Sequence, residues 1–209
     1  MTTPVPSTPG SALTPVELAG AHVRLVPLAL EHVEPLAAIG LDPELWRWTT
    51  THAASRDDMR RYVEQALREE RDGTALPFVT TLAADGTVAG STRLANYSAK
   101  DRRVEIGWTW VAPPWQRSAV NGEAKLLMLG HAFEALGCLR VELKTDALNL
   151  RSRAAIARLG ATEEGVLRRH MITDSGRVRD TVYFSVIAEE WPAVRERLLG
   201  RLAAREDGG

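Results

Sequence analysis

The sequence predicts one α/β domain with a mixed, mostly antiparallel central sheet and helices on both faces. Three observations carry this. Short strand-like segments alternate with longer segments of helical period along the whole chain. Three consecutive strands are separated only by turn signals, which makes them antiparallel. A strong helix then leads to a further strand, which brings in a parallel connection.

The elements follow in order. His22-Val23-Arg24-Leu25-Val26 alternates as a strand does. Leu30 to Ile39 reads as a helix stopped by Gly40, and Leu41 to Ala54 as a loop holding Trp46 and Trp48. Ser55 is a good N-cap, with Asp57 and Asp58 in the first turn, for a helix carrying Met59, Tyr62, Val63, Ala66 and Leu67 on one face. Phe78 to Leu82 and Val88 to Asn96 form a hairpin around Asp85-Gly86, and Arg103 to Val111 is the third strand. Glu123 to Leu136 is a helix ended by Gly137, Leu139 to Thr145 a strand, and Ser152 to Leu159 a helix ended by Gly160. A hairpin of Gly165 to Ile172 with Val178 to Val186 and a helix from Glu189 to Ala204 complete the chain. Residues 1–15, rich in Pro, Ser and Thr, read as a flexible leader, residues 16–205 as the domain and 206–209 as a frayed tail.

Composition narrows the function. The 209 residues include 44% hydrophobic and 25% charged side chains, enough for a packed core. A net charge of −1 gives no basic field for nucleic acid. No apolar run spans a bilayer and no signal peptide is legible, so the expected compartment is the cytoplasm, with no membrane partner. The single cysteine, Cys138, excludes a disulfide framework and any multi-cysteine metal site, and its apolar setting reads as a buried, inert thiol. No metal is expected.

Trp110 to Lys125 holds the chemistry. A strand ends in a Pro-rich turn, and Arg117-Ser118-Ala119-Val120-Asn121-Gly122 leads straight into a helix. Unpaired N–H groups and the positive end of the helix dipole bind phosphate at such a place, and small residues let the backbone come close. Arg117 and Ser118 are able to add direct contacts. One strand later, Asn149 and Ser152 offer two polar groups at a strand end and a helix start; plain capping by Asn149 is compatible with ligand binding.

The stretches EIGWTWVAPPWQRSAVNGEAKLLMLGHAFEALG, NLRSRAAIARLGATEEGVLRRH and RDTVYFSV, with the opening Gly20 to Leu28, resemble the Gcn5-related N-acetyltransferase (GNAT) superfamily, and within it the ribosomal-protein N-terminal acetyltransferase (RimJ/RimL-like) branch. The similarity covers roughly residues 18–192. The superfamily's diphosphate loop is departed from at two small positions, Ala119 and Asn121. The resemblance implies a GNAT fold whose splayed strand pair holds acyl-CoA. The pantetheine would run along the backbone of Trp110 and Val111, the diphosphate would sit on Arg117 to Gly122, and Asn149 and Ser152 would face the arm from the other side. The implied activity is transfer of acetyl from acetyl-CoA to a primary amine, on a protein N-terminus or a small molecule. The alternative is a non-catalytic acyl-CoA-binding or regulatory module on the same fold. A homodimer is left open.

Roles follow from the same resemblance. Many relatives place a Tyr near the position of Ile156; here Ser152, one turn after Asn149, stands as partner of the leaving thiolate. Glu105 is a base acting through water or one half of a cross-strand ion pair with an arginine, and His170 a base or a surface histidine. Trp46 and Trp48 roof the acceptor groove or anchor their loop, and Asp180 holds the amine or a hairpin salt bridge.

Overall fold

Asp85-Gly86 turns the chain between two long strands, with Gly86 at φ +76°, and the sheet grows outward from that hairpin. The computed structural model describes residues 12–206; residues 1–11 of the expected leader and 207–209 of the expected tail lie outside them. The strands are β1 (Leu18–Ala19), β2 (Val23–Pro27), β3 (Leu76–Leu82), β4 (Val88–Ser98), β5 (Arg103–Val111), β6 (Arg140–Asp146), β7 (Thr162–Ile172) and β8 (Val178–Ile187). The helices are α1 (Val33–Gly40), α2 (Pro43–Trp46), α3 (Arg56–Arg71), α4 (Val120–Gly130), α5 (Leu150–Leu159) and α6 (Trp191–Glu206). The strands form one sheet in the order β1-β2-β3-β4-β5-β6-β8-β7, antiparallel throughout except for the parallel β5–β6 pair.

Both faces carry a core. On one, α4, α5 and α6 cover Val23, Leu25, Phe78, Leu94, Val104, Ile106, Val141, Leu143, Val182 and Phe184. On the other, α1, α2 and α3 pack Leu36, Trp46, Met59, Tyr62 and Val63 against Val79 and Trp110. Burial of apolar area on both sides is what holds a sheet of this width in place. The second core stops at β5, so β6, β8 and β7 show a polar face on that side: Lys144 and Asp146 on β6 stand opposite Tyr183 and Thr181 on β8.

Local signals act as expected. The Ser55 hydroxyl accepts from Asp58 N–H and starts α3, and Gly137 at φ +64° and Gly160 at φ +106° end helices where a Cβ would be strained. Four expectations are corrected. A short edge strand, β1, precedes the first expected one because Leu18 and Ala19 pair with Leu25 and Arg24. The loop at 41–54 contains α2, started by the Asp42 carboxylate accepting from Glu44 N–H. The helix expected from Glu123 begins three residues earlier, at Val120, and widens into a π-turn over His131–Ala135, where Leu136 N–H bonds His131 O at 3.0 Å. The helix expected from Ser152 begins at Leu150, because Asn149 is its cap.

Candidate active site

β5 and β6 pair at three positions, the last being Glu105 with Glu142, and then separate while β5 runs on to Val111 and β6 to Asp146. A bulge opens the gap. Trp108 sits at φ +48°, a conformation bulky residues rarely take, and the β4–β5 register slips between Ser91 and Arg93. Backbone N–H and C=O groups of β5 thereby face a cleft rather than a neighbouring strand, which is where an extended amide-bearing ligand adds itself to a sheet.

The N-terminus of α4 lies at the end of β5. Arg117, at φ +61°, turns the chain, and the Ser118 hydroxyl donates to Trp115 O at 2.6 Å and accepts from Val120 N–H at 3.3 Å. Ala119 is the N-cap and has no side chain to cap with, so the N–H groups of Asn121 and Gly122 in the first turn carry no side-chain partner among the described residues. Such a terminus fits a phosphate. Gln116 bridges the region: its Nε2 donates to Val111 O at 2.8 Å, and its Oε1 accepts from Arg151 at 2.8 Å. The Val111 carbonyl thus has one partner within the chain and keeps a second acceptor site. Trp110 sends its indole into the core, with Nε1 buried and unpartnered.

Across the cleft, Asn149 Oδ1 accepts from Ser152 N–H at 3.0 Å, so Asn149 caps α5. The Ser152 hydroxyl is half-buried and has no hydrogen bond among the described residues. Ile156 is part of the core.

The residues expected on the acceptor side divide. Glu105 is 3% exposed and holds Lys144 Nζ at 2.9 Å and Asn96 Nδ2 at 2.7 Å. The cross-strand ion pair expected with an arginine is made with a lysine. Trp46 does not roof a groove: it is 4% exposed, donates its indole N–H to Gly40 O at 2.7 Å and packs edge-on against Tyr62. Trp48 is half-buried and lies under the Arg47 and Arg177 guanidinium groups, at 5.0 and 5.5 Å. The hairpin salt bridge considered for Asp180 is not made among the described residues; its carboxylate accepts from Arg169 N–H at 2.6 Å and pins the bulge of β7 that carries His170. His170 meets the Tyr183 ring at 5.7 Å, and Lys144 lies 5.8 Å from that ring and 5.9 Å from Trp108. His170, Tyr183, Lys144 and Trp108 thus form a row from the sheet edge to the mouth of the cleft.

On that face opens a cleft of about 370 Å³ lined by Tyr62, Gln65 and Arg68 of α3, by Arg93 and Trp108, and by Thr51, His52 and Asp174. Two bonds strap the 47–54 loop to the β7–β8 hairpin there: Asp174 N–H to Thr50 O at 3.1 Å and His52 N–H to Asp174 Oδ2 at 3.1 Å. Arg93 is buried, paired with Glu69 at 2.6 Å and stacked on Trp108. Sequence reasoning passed over Arg93, Lys144, Tyr183 and Asp174, since each acquires its meaning from a partner on another strand. It also passed over Asp146, which is buried and paired with Arg177, with Arg179 nearby at 3.9 Å. Cys138 is buried, and burial pushes its thiol up to about 11. Among the described residues no cluster of His, Cys, Asp or Glu is arranged to hold a metal, and no helix is long and apolar enough to cross a membrane.

A family model described as acetyltransferase (GNAT) domain matches residues 22–162. A solved GCN5-related N-acetyltransferase from Brucella melitensis superposes with a TM-score of 0.85 at 30% identity, covering 93% of this chain and 89% of that one. Mycobacterium smegmatis RimJ, solved in complex with CoA-disulfide, superposes with a TM-score of 0.77 at 28% identity, covering 94% and 97%. Over 110 residues the chain is 33% identical to YdaF of Bacillus subtilis, provisionally named a ribosomal N-acetyltransferase; this match covers 53% of the chain and 59% of YdaF.

Proposed function

The chain belongs to the acetyltransferase (GNAT) family, and on that premise we propose that it moves an acetyl group from acetyl-CoA to a primary amine by direct attack in a ternary complex. The observation that carries this reading is the separation of β5 from β6 beside the uncapped first turn of α4. A pantetheine fits the open edge of β5 and a diphosphate fits the N–H groups of Asn121 and Gly122. The relatives point the same way, one of them by the CoA-disulfide in its solved structure. The acceptor is an amine on a protein N-terminus or a small molecule, and it enters over Trp108, Lys144 and Tyr183.

Acetyl-CoA at about a hundred times its Kd stabilises the folded chain by roughly 3 kcal/mol, which raises Tm by about 5 °C or more for a domain of this size. Differential scanning fluorimetry checks this, and an unchanged Tm at millimolar acetyl-CoA removes the reading. Thiol release with an amine then separates an enzyme from a module that only binds.

Transfer needs a neutral amine, stabilisation of the charge that builds on the thioester oxygen, and a proton or hydrogen bond for the departing thiolate. The free hydroxyl of Ser152 serves the last of these. Ser152→Ala lowers kcat and kcat/KM together, by about tenfold to a hundredfold, because the bond strengthens as charge gathers on sulfur. The Kd for acetyl-CoA changes less. Full kcat in the variant removes Ser152 from the mechanism.

A further inference from the structure

α4 turns one cation into the protein. Lys125 is 5% exposed; its Nζ donates to Thr109 Oγ1 on β5 at 2.7 Å and reaches Thr92 Oγ1 on β4 at 3.4 Å. No carboxylate pairs with it among the described residues, although buried ammonium groups are ordinarily paired. Burial alone pulls its pKa down to about 7.

The charged groups of the elements around it are engaged elsewhere. Glu123, two residues before it, accepts the N–H groups of Ala21, His22 and Val23. On β2, Arg24 pairs with Glu17 at the surface. On β4 and β5, Arg93 pairs with Glu69 and Glu105 with Lys144. In the π-turn after α4, Glu134 accepts from Trp191, and burial holds His131 below the usual histidine range. On α6, Arg201 and Arg205 donate to the carbonyls of Arg158 and Arg117, while Arg195, Glu196 and Arg197 are exposed.

We propose that Lys125, buried without a carboxylate partner among the described residues in the helix whose first turn meets the donor, is the counter-charge of the donor's diphosphate and takes up a proton when acetyl-CoA binds. The inference rests on the donor reading above. A diphosphate on the first turn of α4 lies next to Asn121, and Lys125 follows four residues later, about 6 Å along the axis. Two negative charges at about 10 Å, in an interior that salt screens poorly, favour the ammonium by one to two pKa units, an order-of-magnitude figure. Lys125 then joins the two parts of the donor site, since it lies in the helix that meets the diphosphate and bonds the strand that meets the pantetheine.

Calorimetry of acetyl-CoA binding to the full chain at pH 8, in buffers of different ionisation enthalpy, reads the proton directly. The expected result is uptake of roughly half a proton per acetyl-CoA, with a Kd that rises severalfold from pH 7.5 to 9. In Lys125→Met the uptake disappears and the Kd becomes flat over this range. Binding with an enthalpy independent of buffer overturns the inference and leaves the donor reading intact. Uptake that persists in Lys125→Met also overturns it, by assigning the proton to another group. Absence of any binding heat, together with an unchanged Tm, overturns both.

Discussion

Glu123→Ala lowers the stability of the folded chain by about 3–5 kcal/mol, the cost of leaving three buried backbone donors unpaired, and lowers Tm by roughly 10 °C. The Glu123 carboxylate is 5% exposed and accepts three backbone N–H groups from the turn between β1 and β2: Ala21 at 2.9 Å, His22 at 2.7 Å and Val23 at 2.7 Å. Alanine leaves all three donors without a partner, and each costs about 1 kcal/mol or more when kept from water. The fit is tight enough to set the neighbouring residue: a Cβ at Gly20 would stand 2.4 Å from the Glu123 carboxyl carbon. Glu123→Gln keeps one acceptor oxygen and loses less, about 1–2 kcal/mol. Because Glu123 lies in the first turns of α4, the Ala variant also binds acetyl-CoA more weakly. Urea unfolding checks the order wild type, Gln, Ala; a loss below about 1 kcal/mol for Ala contradicts the assigned role.

The second large effect has the opposite sign. Lys125→Met stabilises the chain at pH 7 by about 3–5 kcal/mol, the linkage value of a lysine lowered from 10.5 to about 7. The unfolded lysine keeps its proton up to about pH 10.4, whereas the folded one gives it up near 7. Between those values the unfolded state binds more protons, so stability of the wild type rises with pH, by up to about 1.4 kcal/mol per unit. The penalty is fully present below pH 7 and is relieved toward pH 10. Methionine fills nearly the same volume, and the two hydroxyls left behind are already bonded to each other, Thr92 Oγ1 to Thr109 Oγ1 at 2.7 Å. Urea unfolding of both proteins at pH 7 and 9.5 reads the effect as a gap of about 3 kcal/mol or more that narrows with pH. A gap independent of pH shows a lysine that never loses its proton.

These two residues also show what the sequence makes legible. Turn and cap chemistry is local, so Asp85-Gly86, Ser55, Gly137 and Gly160 announce their elements without help from the rest of the chain. The strand-to-helix junctions at 117–122 and at Asn149 are legible for the same reason, from a few consecutive residues. Glu123 and Lys125 act through partners about a hundred and sixteen to thirty-three residues away, which no local pattern encodes. One signal was present: both sit among Val120, Ala124, Met128 and Leu129, the positions α4 buries, and a charged side chain in an apolar stripe asks for a partner. Trp46 and Trp48 stand two residues apart, yet only Trp46, the last residue of α2, is core, while Trp48 lies in the turn that follows. The partner of Glu105, Lys144, comes from β6, and no pattern around residue 105 names it.

Amine-dependent transfer from acetyl-CoA is measured most directly as thiol release over a panel of peptide N-termini and small primary amines, with mass detection of the product. Thiol release is expected only with particular amines, with one acetyl added to the acceptor nitrogen for each thiol freed, and a kcat that falls in Ser152→Ala. Tight acetyl-CoA binding with thiol release no faster than hydrolysis across the whole panel would contradict it and assign the fold to binding without transfer.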